Sequence, residues 1–296
     1  NFVTVNLDGD LPLGAPPLEA LDLPSRWILS RLNRLIETVT RLFETYQYGE
    51  AGRQIDDFLW SEFADWYIEI SKYPLYQGSD EEKQTARRVL VYVLDQALRL
   101  LHPYMPFVTE EIWQHIPHEG EALIIAGFPT TDTRYFDDAA ETQMSILIDL
   151  IRGIRNVRDE YKVEPGRKIT AIASVGSFGT LFDQYGYLFA RLCNVAAVTP
   201  LQAGDTPPGE SASVVVNEVT IYLPLAEFID RAAECERLSK EAAKLAGQIE
   251  KSRGMLTNEG FIRRAQPEVI EKERVKLASL EASAAQISER LVSMCK

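Results

Sequence analysis

The strongest constraint on the fold lies in the last quarter of the chain. From Ala226 onward the composition turns to Ala, Glu, Lys, Arg and Leu. Phe228, Cys235, Leu238, Ala242, Leu245, Ile249 and Leu256 recur at spacings built from three and four. After a break around 257–267, Ile270, Leu277, Leu280, Ala284, Ile287, Leu291 and Met294 do so again. A helix turns once in about 3.6 residues, so each series draws one narrow apolar stripe along a helix, and a stripe that narrow needs a partner helix. Two such helices with a short connection predict an antiparallel coiled-coil hairpin over 226–296. Pro267 suits the first turn of the second helix, since in a helix interior it would cost about 3 kcal/mol.

The first half of the chain has a broader helical pattern. Residues 1–24 read as an irregular lead-in, broken by Pro12, Gly14, Pro16, Pro17 and Pro24. Trp27, Leu29, Leu32, Leu35, Ile36 and Val39 then predict a helix from Ser25 to about Tyr46. Gly49 and Gly52 read as weak breakers, and a second helix carries Ile55, Phe58, Phe63, Trp66 and Ile70 before stopping near Pro74. Ser79-Asp80-Glu81-Glu82 opens a third helix, with a capping residue and then acids at the positive end of the dipole. A short fourth helix is expected from Thr109 to about Pro117, and a fifth over 138–160. Together these predict a helical bundle over 25–160.

After Pro165-Gly166 the period changes. Strands are expected at 169–175 and 195–198, a helix at 178–192, and a hairpin at 214–216 and 219–223 about Asn217-Glu218. This small α/β module, 161–225, is too short to be comfortable alone and is expected to dock on the bundle. The fold class is therefore mainly α: bundle, small α/β module, and hairpin arm.

Composition sets limits on function. The length suits roughly two domains. No apolar run approaches the roughly 20 residues that span a bilayer. Cys193, Cys235 and Cys295 lack CxxC spacing, which argues against a disulfide framework or a zinc site and suits a reducing compartment. The first residues have no basic region and no Met, which reads as a start inside a longer protein rather than a signal peptide. No glycine-rich phosphate loop and no GxSxG elbow occurs. His102 reads as a helix-end residue near the last carbonyls, and Glu81-Glu82 and Glu110-Glu111 as solvated helix starts. No catalytic constellation is expected.

The net charge is −13, which is unpromising for a nucleic-acid binder. The charge is uneven, however. Residues 227–296 carry 13 basic and 12 acidic side chains, whereas the rest carries 18 and 32. Lys251, Arg253, Arg263, Arg264, Lys272, Arg274 and Lys276 cluster around the hairpin turn, with Phe261 among them. Such a cluster is either an ordinary charged helix surface or a phosphate-contacting tip with an aromatic that stacks or closes the turn. Composition alone leaves both readings open.

Three further stretches carry a resemblance. Leu101-His102-Pro103-Tyr104-Met105-Pro106-Phe107-Val108-Thr109-Glu110-Glu111-Ile112-Trp113 resembles the signature in the anticodon-binding bundle of the class I aminoacyl-tRNA synthetases for valine, isoleucine and leucine. Asp65-Trp66-Tyr67-Ile68-Glu69 and Arg26-Trp27-Ile28-Leu29-Ser30-Arg31-Leu32-Asn33 resemble other parts of that bundle. The run from Leu256 to Arg274 is similar to the C-terminal coiled-coil arm of the valine member, and clustered Cys expected of the isoleucine member is missing.

The resemblance implies a tRNA-recognition part, with 1–24 arriving from a catalytic core whose two signature motifs, like the editing domain, do not occur in this sequence. It implies that the bundle holds the anticodon, with Phe2 near it, and that the arm lies on the outer corner of the tRNA. On its residues alone Phe2 reads as a buried bundle side chain. The resemblance further implies ATP and Mg in the full-length enzyme, no cofactor in this chain, no membrane partner, a monomer, and a cytoplasmic location. The rivals are a non-enzymatic helical adaptor whose arm binds a protein, and the equivalent part of an isoleucine or leucine synthetase.

Overall fold

The computed structural model describes residues 2–7, 13–202, 205–225, 228, 231–258 and 267–294. It is mainly α, with one small sheet. A single helical turn, α1 (Phe2–Val5), precedes the bundle. α2 (Leu23–Glu44) starts where Asp22 accepts from the Ser25 backbone N–H at 3.0 Å and Pro24 occupies the first turn. Its Ile28, Leu29, Leu32, Ile36 and Val39 are fully buried.

The second predicted helix is longer than its breakers suggest. α3 (Tyr48–Phe58), a π-helical stretch (Leu59–Tyr67) and α4 (Ile68–Gln77) run on without interruption. Gly49 and Gly52 lie inside it, and a Cβ at Gly52 would press on the Tyr104 ring. Pro74 also lies inside, because Leu75 beyond it is buried where α4 packs on α5. The wider π turn keeps Phe63, Trp66 and Tyr67 in the core while Trp60 faces solvent.

α5 (Asp80–Leu101) opens on a full capping box: Ser79 accepts from the Glu82 N–H, and Glu82 accepts from the Ser79 N–H. α6 (Pro106–Trp113) begins three residues before the expected start, because Pro106 itself takes the first helical position. α7 (Asp138–Glu160) matches its expected span, and Asp137 accepts from the Ala140 N–H at 2.8 Å to begin it.

The sheet has the order β2-β1-β4-β3. β1 (Ile169–Ser174) and β2 (Val195–Pro200) are parallel, joined by α8 (Gly179–Tyr185) and α9 (Tyr187–Cys193). The single helix expected over 178–192 is thus two, parted at Gly186. β3 (Ser211–Val216) and β4 (Val219–Pro224) form the hairpin, with Asn217 at φ 51° in its turn. Ile169, Ala171 and Ala173 of β1 and Val219, Ile221 and Leu223 of β4 face the core. α7 packs on β3 at Gly153, where any Cβ would collide with Val214. That contact joins the sheet to the bundle.

The arm is α10 (Arg231–Thr257) and α11 (Pro267–Met294), and Pro267 opens its second helix. The two helices lie against each other, with Ser252 donating to Glu273 at 2.6 Å and Arg253 paired to Glu281 at 2.6 Å. They must be antiparallel. α10 is roughly 40 Å long at 1.5 Å per residue, more than the connection could span even fully extended. Leu238 is buried, whereas Leu245, Ile249, Leu277, Leu280, Ile287 and Leu291 are half-buried. Ser252 and Glu273 stand where each apolar series skips a position, and they bond to each other there.

Candidate nucleic-acid interface

Two regions offer nucleic-acid chemistry. The first is a cleft of about 470 Å³ where the starts of α2 and α5, the end of α4 and the α8–α9 pair meet. That is a size typical of ligand sites. Its walls are aromatic. Tyr73 of α4 stacks on Tyr187 of α9 at 4.3 Å, and the Arg191 guanidinium lies 5.5 Å from the centre of the Tyr73 ring. The Tyr185 hydroxyl accepts from the Leu23 N–H at 3.1 Å, and the Tyr67 hydroxyl shares a 3.0 Å hydrogen bond with Ser25. Burial pushes the phenols of Tyr67 and Tyr187 well above their ordinary value, so both stay neutral. The charged residues that line the cleft are Asp22 and Glu82, with Arg191 behind the Tyr73 ring, so its tyrosines and hydroxyls suit a flat, uncharged ring rather than a phosphate.

Phe2 does not line this cleft. It is half-buried against the core, and the Lys72 ammonium lies 5.6 Å from its ring centre. Lys72 is also paired to Glu69 at 2.5 Å. Periodicity could not have found Tyr185 and Tyr187. They belong to the α/β module, and what makes them part of a site is the helix they meet in the bundle.

The second region is the arm near its turn. Lys251, Arg253, Lys272, Arg274 and Lys276 are all exposed, while Phe261, Arg263 and Arg264 lie outside the described residues. The exposed five differ in their company. Arg253 pairs with Glu281, Arg274 with Glu271 at 3.9 Å, and Lys276 with Glu273 at 3.1 Å. Lys251 and Lys272 have no ion-pair partner among the described residues. Exposed pairs of this kind are weak, so a phosphate can compete for the paired cations, at the cost of separating them.

Elsewhere the charged groups serve the fold. Arg31 binds Glu62 through two hydrogen bonds, of 2.7 and 2.8 Å, and also reaches Glu141. Arg34 and Ser30 bind Glu141 too, tying α2 to α7. His102 does not touch the last carbonyls of α5: its Nδ1 lies 2.7 Å from the Thr109 hydroxyl, which donates to Met105 O. Glu110 is more than a solvated helix start, since it accepts from the Leu123 N–H at 2.8 Å. Burial pushes the Cys193 thiol up to about 12, which leaves it an inert core group. Among the described residues no cluster of His, Cys, Asp or Glu could hold a metal ion, and no helix is long and apolar enough to cross a membrane.

Comparison with known proteins puts these two regions in context. Residues 25–173, half of the chain, match the family model of the anticodon-binding domain of tRNA ligases. The chain belongs to that family. Residues 230–295 match a second model, the tRNA-binding arm of valyl-tRNA synthetases. Among curated relatives of this tRNA-ligase family, the valine–tRNA ligases of Enterococcus faecalis and Listeria innocua are each 38% identical over 99% of this chain and 33% of their own length. That of Carboxydothermus hydrogenoformans is 41% identical over 94% of this chain and 31% of its own. The chain thus spans about a third of the length of the curated relatives it matches. The cleft lies mostly within the anticodon-binding match, and the exposed cations lie within the arm match.

Proposed function

We propose that this chain is the tRNA-recognition part of an aminoacyl-tRNA synthetase that ligates valine to its tRNA using ATP. One observation carries the reading: an anticodon-binding match and a valyl-tRNA-synthetase arm match follow one another along a single chain. The bundle takes the unstacked anticodon bases. The Tyr73–Tyr187 cleft supplies faces to stack on and hydroxyls for base edges, and Phe2 is assigned to the anticodon on the resemblance alone. The arm lies along the outer corner of the tRNA, with Lys251 and Lys272 placed for phosphates. Arg253, Arg274 and Lys276 join them by exchanging a carboxylate for a phosphate. Phe261, Arg263 and Arg264 are assigned to the same contact on their sequence. The acidic body gives no general attraction, so affinity comes from these local cations.

Chemistry belongs to the rest of the polypeptide, whose catalytic domain, beside an editing domain, would bind ATP and Mg. This part needs no cofactor. It raises the rate by positioning the acceptor end, a proximity effect. The protein acts as a cytoplasmic monomer. The chain alone is expected to show no valine-dependent ATP–pyrophosphate exchange above a buffer control.

The test is tRNA affinity across a salt series, with Arg253, Arg263, Arg264 and Lys272 changed together to Ala and circular dichroism confirming the fold. Each lost phosphate contact should lower the salt slope by somewhat under about one unit. Lys272→Ala alone should lower it more than Arg274→Ala, because Arg274 has Glu271 beside it. Unchanged affinity and slope in the folded quadruple variant would favour the rival, an arm that contacts protein.

A further inference from the structure

The acidic charge of the body is not spread evenly. Residues 1–150 carry 11 basic and 25 acidic side chains, whereas 151–200 carry 7 and 4. Three of those seven stand on one seam of the surface, where α7 and α9 meet the continuous helix that carries Trp66 and Tyr73. The Arg152 and Arg155 guanidiniums of α7 each lie 5.3 Å from the centre of the Trp66 ring. Arg155 donates from Nε to Leu192 O of α9 at 2.9 Å. The neighbour of Leu192 is Arg191, whose guanidinium lies behind the Tyr73 ring at 5.5 Å. All three arginines are exposed.

Packing accounts for the stacking but not for the surplus of charge. Elsewhere in the body Arg26, Arg31, Arg34, Arg53, Arg99 and Arg134 are each tied to a carboxylate. Among the described residues Arg155 and Arg191 have no carboxylate partner, and Arg152 has Asp149 at 3.5 Å. A ring beneath a guanidinium fixes its plane and leaves its N–H edge free. Arg155 gives the protein its Nε, which keeps both terminal nitrogens for another acceptor. A fork held in this way suits an anion that offers two oxygens, and it loses little freedom on binding one.

The position of the seam matters as much as its charge. At one end Arg191 lies one turn along α9 from Tyr187, a wall of the cleft. At the other, the chain of α7 runs on roughly 9 Å past Arg155 to Tyr161. The Tyr161 ring meets Phe228 at 5.4 Å, just before the arm begins at Arg231. We infer that Arg152, Arg155 and Arg191 hold phosphates of the tRNA strand that passes between its anticodon and its outer corner. RNA is the occupant because a tRNA held in the cleft and on the arm lays its backbone across the interval where these cations stand. The inference rests on the tRNA-binding reading and adds to it a third contact, on the body itself.

The experiment uses the full-length polypeptide and tRNA, with affinity measured across a salt series. Arg152, Arg155 and Arg191 changed together to Gln should lower the salt slope by about two to three units. The same three changed to Lys should restore most of it, because the phosphate meets the charge and not the stacked plane. Hydroxyl-radical footprinting should show the Gln variant losing protection on the strand between the anticodon loop and the corner, with both ends still covered. Arg191→Gln alone gives up no hydrogen bond among the described residues, so it reports on the site even where the triple variant fails to fold. It should lower the slope by somewhat under about one unit. An unchanged slope in these folded variants, with the arm variant still lowering it, would overturn the inference and leave the tRNA reading standing. Protection lost only at the loop or the corner would overturn it too. A Lys variant no better than the Gln one would assign the arginines to packing. Unmodified protein that binds no tRNA would overturn both readings.

Discussion

A helix in the bundle has neighbours on several sides, whereas a helix in the arm has one. α2 packs on α3, α5 and α7, and its Ile28, Leu29, Leu32 and Ile36 lose all contact with water. α10 packs on α11, and a comparable apolar spacing leaves Leu245 and Ile249 half-buried. Apolar spacing decides which way a side chain points, while the number of neighbouring elements decides how deep it goes. The same difference governs charge. Between α2 and α7, the Arg31, Arg34 and Glu141 side chains are enclosed by one another, whereas the cations of the arm stand in solvent beside single acidic neighbours.

The contrast can be broken most directly through stability. Trp113→Ala removes a fully buried indole and leaves the Asp95 carboxylate short of a donor, so it should cost about 3–5 kcal/mol in urea unfolding followed by circular dichroism. A loss well below that would mean that the bundle is no deeper than the arm. Leu280→Ala, at a half-buried seam position, should cost about 1–2 kcal/mol, below the range for a fully buried Leu. Hydrogen exchange across the arm would report it, and a cost equal to that of Trp113→Ala would erase the distinction.

The smallest effect sharpens the electrostatic half of the comparison. Burial alone would raise the Glu141 carboxyl, but hydrogen bonds from Arg34 and Ser30 and the charges of Arg31 and Arg34 outweigh it, so the group titrates below its ordinary value. A depressed carboxyl contributes stability that is present above the unfolded value, about 4.3, and is lost as pH falls through the lower folded one. The urea midpoint should therefore drop on acidification below about pH 4, and Glu141→Gln should flatten that drop. An unchanged acid slope in the variant would show that the network between α2 and α7 adds nothing.

Much of this architecture was legible in the chain. α7 matches its expected span because an acidic cap, a long apolar series and a polar end all agree there. The hairpin turn at Asn217 was legible for a similar reason, since an Asn tolerates the positive φ that the turn requires. Pro74 misled because its local cost, about 3 kcal/mol, is offset by the packing of α4 on α5, the burial of Leu75 included, a tertiary gain that no neighbouring residue announces. The start of α6 was set three residues late because Thr109-Glu110-Glu111 looks like a helix opening, whereas Pro106, at home in a first turn, is the residue that begins it. Of the candidate site, the arm cations were visible as composition. Their pairing was not, since Arg253 and Glu281 meet only once the hairpin has closed. The tyrosine cleft was invisible for the same reason: its walls come from residues more than a hundred positions apart.

The Ser252–Glu273 bond bears on the geometry of the whole arm. Two plain apolar stripes can slide past one another by a heptad and still match, a shift of roughly 10 Å. Here such a slide would drive a carboxylate against hydrocarbon and strand a hydroxyl, so the stripes mesh in one setting. The pair acts as an index mark that fixes the reach of the arm. A hairpin with its length set in this way can serve as a ruler, holding whatever its tip touches at a constant distance from the body that carries it.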